Sequence, residues 1–288
     1  MRYDRLLEGR NCVVTSGAHG MGRAVSMLFA RHGARVTICG KSPTGEETAG
    51  KLRELSPDSF FLRCDLEQED QVRDFARGVL DRMGTVDVLV NCVGVNAREP
   101  ATEITMEAFQ RIQNTNLKAG ILLVGAFVPG MMRKGKGSVV HISSIHSVAP
   151  SLIIGSYAAS KGGVNAFSRV LALEAGQYGV RSNVLCCGWV ATTQIMGELE
   201  KRESSREEQY RFLENLIDSA PCHSPARAED IANHVLFLAS DMSAFVTGAT
   251  IMDDCGATLQ NHYTQFPEPD DVQVLRRQLY DAILDGEN

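Results

Sequence analysis

The chain lacks a long apolar run. Its most nearly apolar stretch, 119–132, carries glycine and proline and is too short to span a bilayer. The first eight residues lack the apolar core of a secretion signal, so a cytoplasmic location and no membrane partner are the expectation. Positive charge is also in the minority, with 29 Lys and Arg against 35 Asp and Glu. A net charge of −6 leaves no basic footprint for nucleic acid. No Cys-x-x-Cys occurs and no His and Cys ligands cluster, so no metal site is predicted. Nor is a disulfide framework expected in a reducing compartment. The eight cysteines instead read as small buried hydrophobes, five of them (Cys12, Cys39, Cys64, Cys92, Cys186) in or beside apolar runs. There is no Pro/Ser-rich linker, internal repeat or low-complexity segment.

What is present is alternation. Short apolar runs at 11–15, 35–39, 60–63, 86–91, 138–142, 181–186 and 249–252 read as strands. Helical patterns fill 20–31, 44–55, 68–83, 103–133, 155–178 and 227–240. This order predicts an α/β fold: one doubly wound domain with a seven-stranded parallel sheet and helices on both faces. The domain is expected to span 1–260, with 261–288 as a C-terminal extension. A highly charged segment, 192–221, interrupts the alternation after the sixth strand.

Val13-Val-Thr-Ser-Gly-Ala-His-Gly-Met-Gly22 joins the first strand to the first helix. Glycines there let the backbone approach a pyrophosphate, and the helix N-terminus offers free N–H groups. A plain glycine-rich turn is the alternative reading. Asp65 after the third strand suits an adenine amino group or a helix cap. Asn91-Cys-Val-Gly94 ends the fourth strand at its carboxyl edge, where ligands bind in such sheets. At the end of the second strand stands Gly40 rather than a carboxylate, followed by Lys41 and Ser42. A cation and a hydroxyl suit a 2′-phosphate, so NADP(H) is favoured over NAD(H). His19 adds to that charge.

Tyr157 and Lys161 stand four residues apart in Ser156-Tyr-Ala-Ala-Ser-Lys-Gly-Gly163, hence on one helical face. An ammonium beside a phenol favours phenolate, so the tyrosine pKa is expected to fall. That makes Tyr157 a candidate acid/base for a carbonyl or alcohol oxygen. Ser144, thirteen residues upstream, ends an apolar run.

Together these residues resemble the short-chain dehydrogenase/reductase family over about residues 8–258. The family's glycine turn is similar to Thr15-Ser16-Gly17-Ala18-His19-Gly20-Met21-Gly22, and its Asn-Asn-Ala-Gly to Asn91-Cys92-Val93-Gly94. Its helix asparagine matches Asn116, its catalytic serine Ser144, and its Tyr-x-x-x-Lys Tyr157 and Lys161. Its Pro-Gly-x-x-x-Thr matches Cys187-Gly188-Trp189-Val190-Ala191-Thr192, and its late Asp-Gly-Gly matches Asp254-Cys255-Gly256. Ser16, Val93, Cys187 and Cys255 depart from the pattern.

The resemblance implies hydride transfer between a nicotinamide and a secondary alcohol or ketone, with Asn116, Ser144, Tyr157 and Lys161 as the catalytic tetrad. Lys161 would also hold the nicotinamide ribose, and Asn116 would anchor a proton-relaying water. Cofactor contacts are implied at Ser16, Gly17, His19, Gly20, Met21, Gly22, Lys41, Ser42, Asp65 and Leu66. Others fall at Asn91, Val93, Gly94, Tyr157, Lys161, Gly188, Val190 and Thr192. The 192–221 segment would be a substrate lid, with Ile195, Met196, Leu199, Phe212 and Leu216 inward. Asn96, Ser144, His146, Trp189 and Met196 are the substrate-facing candidates.

A sugar, polyol, keto acid or hydroxysteroid would fit. A ketoacyl thioester reductase and a non-catalytic nucleotide sensor or scaffold are the alternatives. The resemblance further implies a homodimer or homotetramer through helices 103–133 and 155–178. The C-terminal extension either docks on a neighbouring subunit or frays.

Overall fold

The computed structural model describes residues 4–192, 205–217, 220–222 and 224–259, with 274, 277, 278, 281 and 282 of the extension. Seven parallel strands form one sheet in the order β3-β2-β1-β4-β5-β6-β9. They are β1 (Asn11–Val14), β2 (Arg35–Gly40), β3 (Phe60–Arg63), β4 (Val88–Asn91), β5 (Gly137–Ser144), β6 (Val180–Cys187) and β9 (Thr250–Asp253). The central strands β4 and β5 are buried along their whole length because both faces of the sheet are covered.

On one face, α1 (Gly20–Arg31) packs with α8 (Ala228–Ala239), burying Val25 and Phe29 with Ile231, Val235 and Leu238. On the other lie α3 (Glu69–Met83), α5 (Ala119–Lys134) and α6 (Gly155–Gly176). There Val72, Phe75, Leu123, Phe127 and Leu171 form the core. The helical run 106–134 is apolar and long enough to cross a membrane by composition alone, yet half of it is buried in this core. Chain order reverses between β1 and β4, so the carboxyl ends of these strands open a crevice.

Two differences from the sequence reading bear on the site. The single helix expected over 103–133 is α4 (Met106–Gln113), a π turn (Asn114–Lys118) and then α5. Thr105 caps α4 by accepting from the Ala108 N–H. The fifth strand runs on to Ser144, which puts that hydroxyl on the sheet's rim.

Six cysteines are free and buried. Burial holds Cys12, Cys92 and Cys187 above the ordinary thiol range, Cys92 at about 12. The Cys64 thiol and burial do the same for Cys39. Above pH 9 the unfolded chain releases four thiol protons that the native state keeps. Burial acts oppositely on Lys161, whose pKa falls to about 8, so the native state releases one proton that the unfolded chain keeps to about pH 10.5. The thiols outweigh the lysine. Stability is therefore expected to fall as the pH rises from 9 to 10.5. Denaturant midpoints at pH 8 and pH 10 measure this.

Candidate active site

The first turn is a close-packed cradle. A Cβ on Gly22 would collide with the Ser16 carbonyl oxygen, and one on Gly17 with the Ile38 side chain. Ser16 adopts φ 53°, the left-handed region that suits the family's glycine. Gly20 opens α1 at φ 49°, and a Cβ there would lie 3.5 Å from Thr192 Cγ2. Thr192 thus sits over the turn from the far side of the crevice. This backbone cradle at a helix N-terminus fits a dinucleotide pyrophosphate.

At the end of β2, His19 Nε2 is 3.0 Å from Thr44 Oγ1, which is 2.7 Å from Ser42 Oγ. Lys41 Nζ lies 2.9 Å from Asp65 Oδ2 and 3.8 Å from Glu67. The two residues assigned separate cofactor roles therefore pair with each other. Asp65 also caps the next turn, accepting from the Glu67 N–H at 3.0 Å. Leu66 is buried and Met21 packs against the core beside the turn. Gly188 packs against Asp254, where a Cβ would lie 2.9 Å from its Cα. Val190 is buried in the two-residue strand that follows.

Ser144, Tyr157, Lys161 and Asn116 converge at the carboxyl ends of β4 and β5. Ser144, 7% exposed, accepts from the His146 N–H at 3.2 Å, so it also caps a short 3₁₀ turn. Lys161 is 3% exposed and donates to the carbonyls of Ile142 (2.9 Å) and Val93 (3.2 Å). Its Nζ lies 5.8 Å from the Tyr157 ring centre. A Cβ on Gly94 would come 3.5 Å from that Nζ, so the Asn91–Gly94 segment crosses beside it.

The pKa expected for Tyr157 needs correction. Burial raises it, and a hydrogen bond with Ser144 only partly opposes this. The ammonium is turned to the two carbonyls rather than to the phenol. Asn116 is buried in the π turn beside this group. Its amide donates to the Val95 carbonyl (2.9 Å) and Ser160 Oγ (3.0 Å) and accepts from the Val95 N–H (2.8 Å). Both its donors are used within the fold.

At the mouth, the His146 ring lies edge-on to Tyr157 with centres 6.3 Å apart. Burial, with a smaller contribution from Arg98, lowers its pKa. Asn96 is exposed on the adjoining loop. Trp189 is half-buried, and its carbonyl accepts from the Ala226 N–H at 3.1 Å. That bond accompanies the pairing of β7 (Val190–Ala191) with β8 (Ala226–Arg227). Met196, Ile195 and Leu199 lie outside the described residues. In α7 (Arg206–Ile217) Leu213 is fully buried among the described side chains and the expected Phe212 is half-buried, while the Leu216 side chain lies outside those described.

Sequence reasoning missed three features. Ile153, β-branched, stands at φ 59° in the loop between Ser144 and Tyr157, and its carbonyl accepts from the Glu99 N–H at 2.8 Å. Only glycine and asparagine signal such a position, so nothing local marked it. The second is a disulfide between Cys222 and Cys255, with Cα atoms 5.9 Å apart, a single bridge where the sequence led us to expect no disulfide framework. Cys255 takes φ 50° where the family has glycine. Reduction is expected to cost about 4 kcal/mol for this 33-residue separation, read as a lower melting temperature in dithiothreitol. The third is the extension. Asp281 accepts from Tyr210 and Arg206, and Arg277 lies 3.4 Å from Glu207. Arg277 and Asp281 thus lie against α7 of the same chain.

A family model described as enoyl-(acyl carrier protein) reductase matches residues 16–258. The chain is 32% identical over 269 residues to (+)-borneol dehydrogenase 2 of Salvia officinalis, covering 92% of this chain and 94% of that one. It is 30% identical over 257 residues to glucose 1-dehydrogenase 2 of Bacillus subtilis, covering 88% and 96%. Its fold is similar to the L-sorbose reductase of Gluconobacter frateurii, solved with NADPH and L-sorbose, at TM-score 0.84 and 25% identity. That likeness covers 90% of this chain and 100% of that one.

Proposed function

Because the chain belongs to the short-chain dehydrogenase/reductase family, and so is an oxidoreductase acting on CH–OH groups, we propose that it interconverts a small ring-borne or polyhydroxylated secondary alcohol and its ketone with NADP(H). The observation that carries this reading is the meeting of Ser144, Tyr157 and buried Lys161 beside the glycine cradle. A nicotinamide bound there supplies or takes the hydride.

The chain's own residues handle the proton. Tyr157 donates to the ketone oxygen in reduction and accepts from the alcohol in oxidation. Ser144 holds that oxygen and stabilises its developing charge. Lys161 provides a positive charge near the phenol. Burial keeps the phenol protonated, which suits Tyr157 to donate to a ketone oxygen. Lys41, Ser42, Thr44 and His19 support the NADP(H) preference by gathering a cation and hydroxyls at the end of β2. Exposed Ile121, Val170 and Leu173 on α5 and α6 support assembly into dimers or tetramers.

The test is reduced-nicotinamide absorbance with NADP⁺ and NAD⁺ over sugars, polyols, hydroxy acids, terpenols and hydroxysteroids. Turnover with one class, faster with NADP⁺, is the expected result. Silence with every alcohol and every matching ketone would contradict the proposal and favour a thioester substrate or a sensor.

A further inference from the structure

We propose that the substrate carries an anionic group, a carboxylate or a phosphate ester, several bonds from its carbonyl, and that Arg98 receives it. This deepens the reading of the site given above and rests on it. The loop after β4 forms one rim of the crevice and runs outward from Lys161. Exposure alternates along it residue by residue, as in an extended chain. Gly94, Asn96 and Arg98 are exposed, while Val95, Ala97 and Glu99 are half-buried. At the inner end of the exposed face, a Cβ on Gly94 would lie 3.5 Å from Lys161 Nζ. That face is therefore the crevice side, and Asn96 and then Arg98 follow on it.

The rim is fixed at both ends. Val95 makes two backbone bonds with the Asn116 amide. Glu99 forms a parallel bridge with Ile154, three residues before Tyr157. The Glu99 N–H donates to the Ile153 carbonyl at 2.8 Å, and Ile153 holds φ 59° at that point. A β-branched residue in the left-handed region is strained, and such strain collects at ligand sites. Here it anchors the residue next to Arg98. Glu99 turns its own carboxylate to Thr105, accepting from Oγ1 at 3.1 Å. Among the described residues no ion pair engages Arg98.

The guanidinium charge reaches His146, where it adds to burial in keeping the imidazole neutral. The His146 ring in turn lies edge-on to Tyr157. The mouth thus holds one permanent positive charge that no carboxylate of the rim neutralises. Beside it, the Asn96 amide is free to meet hydroxyls. The guanidinium fork matches the paired oxygens of a carboxylate or phosphate. Four residues at about 3.3 Å each separate Arg98 from Gly94, so the anion sits well beyond the reacting carbon. A 2-oxo acid is too short for this spacing. A keto sugar acid, a ketose phosphate or an oxocycloalkane carboxylate fits it.

The test compares matched ketones with NADPH: 5-ketogluconate and fructose 6-phosphate against fructose, and 4-oxocyclohexanecarboxylate against its primary amide. The anionic member is expected to show a kcat/KM about tenfold to a hundredfold higher, with the difference in KM and shrinking as salt is raised. The pair with the larger preference tells carboxylate from phosphate. Arg98→Met, which keeps the apolar stem and removes the charge, is expected to erase the preference, and Arg98→Lys to restore part of it. Turnover with no preference for the anion in any pair, or a preference that survives in Arg98→Met, would overturn the proposal and leave the ketone-reducing reading standing. If no ketone turns over, calorimetric titration of the NADPH complex with the same anions decides. Binding that is lost in Arg98→Met upholds the anion site while the reductase reading falls. No binding, or binding indifferent to Arg98, overturns both.

Discussion

Replacing Tyr157 with phenylalanine is expected to lower turnover at least about a thousandfold while NADPH affinity stays within about twofold. The ring is retained, so its edge-on contact with His146 and its approach to Lys161 Nζ survive, and only the proton-bearing oxygen is lost. Lys161 remains tied to the Val93 and Ile142 carbonyls, so the cofactor side of the site keeps its shape. Stopped-flow hydride transfer and NADPH fluorescence titration together measure both halves. An active phenylalanine variant would remove Tyr157 from the chemistry.

The second large effect is at Gly22. A methyl group there would overlap the Ser16 carbonyl, a backbone atom that cannot move aside without carrying the turn. Gly22→Ala is therefore expected to weaken NADPH binding by about a hundredfold or more and to destabilise the fold by about 1–3 kcal/mol. Ser16 aggravates this, since a non-glycine residue already holds φ 53° on the same turn. Ser16→Gly in the Gly22→Ala background is expected to recover part of the stability loss. Melting temperature and NADPH titration on the single and double variants check both statements. Unimpaired binding in Gly22→Ala would place the pyrophosphate elsewhere.

The strands were legible because sheet burial on both faces writes itself as runs of Val, Ile, Leu and Cys. The cradle and the Tyr157–Lys161 pair were legible because spacing alone puts them at a turn and on one helical face. What was not legible depended on distant contacts. The π turn around Asn116 breaks a helical pattern that has no glycine or proline at the break. The direction of the Tyr157 shift follows from burial and from where Lys161 Nζ points, neither of which spacing reports. Lys41 and Asp65 each had a sensible partner in the cofactor, and only the fold shows that they also have one another. Cys222 and Cys255 meet because the segment after α7 folds back on the β9 loop, where Pro221 lies against Gly256.

The central claim is that hydride moves between a nicotinamide and a carbinol carbon while Tyr157 moves the proton. The most direct test uses NADPH deuterated at the transferring C4 position, a ketone substrate from the panel, and mass and NMR analysis of the product. The account predicts one deuterium, bonded to the carbinol carbon, in the wild-type product. Deuterium on a carbon adjacent to or beyond an intact carbonyl would mean alkene reduction. That result would contradict the account.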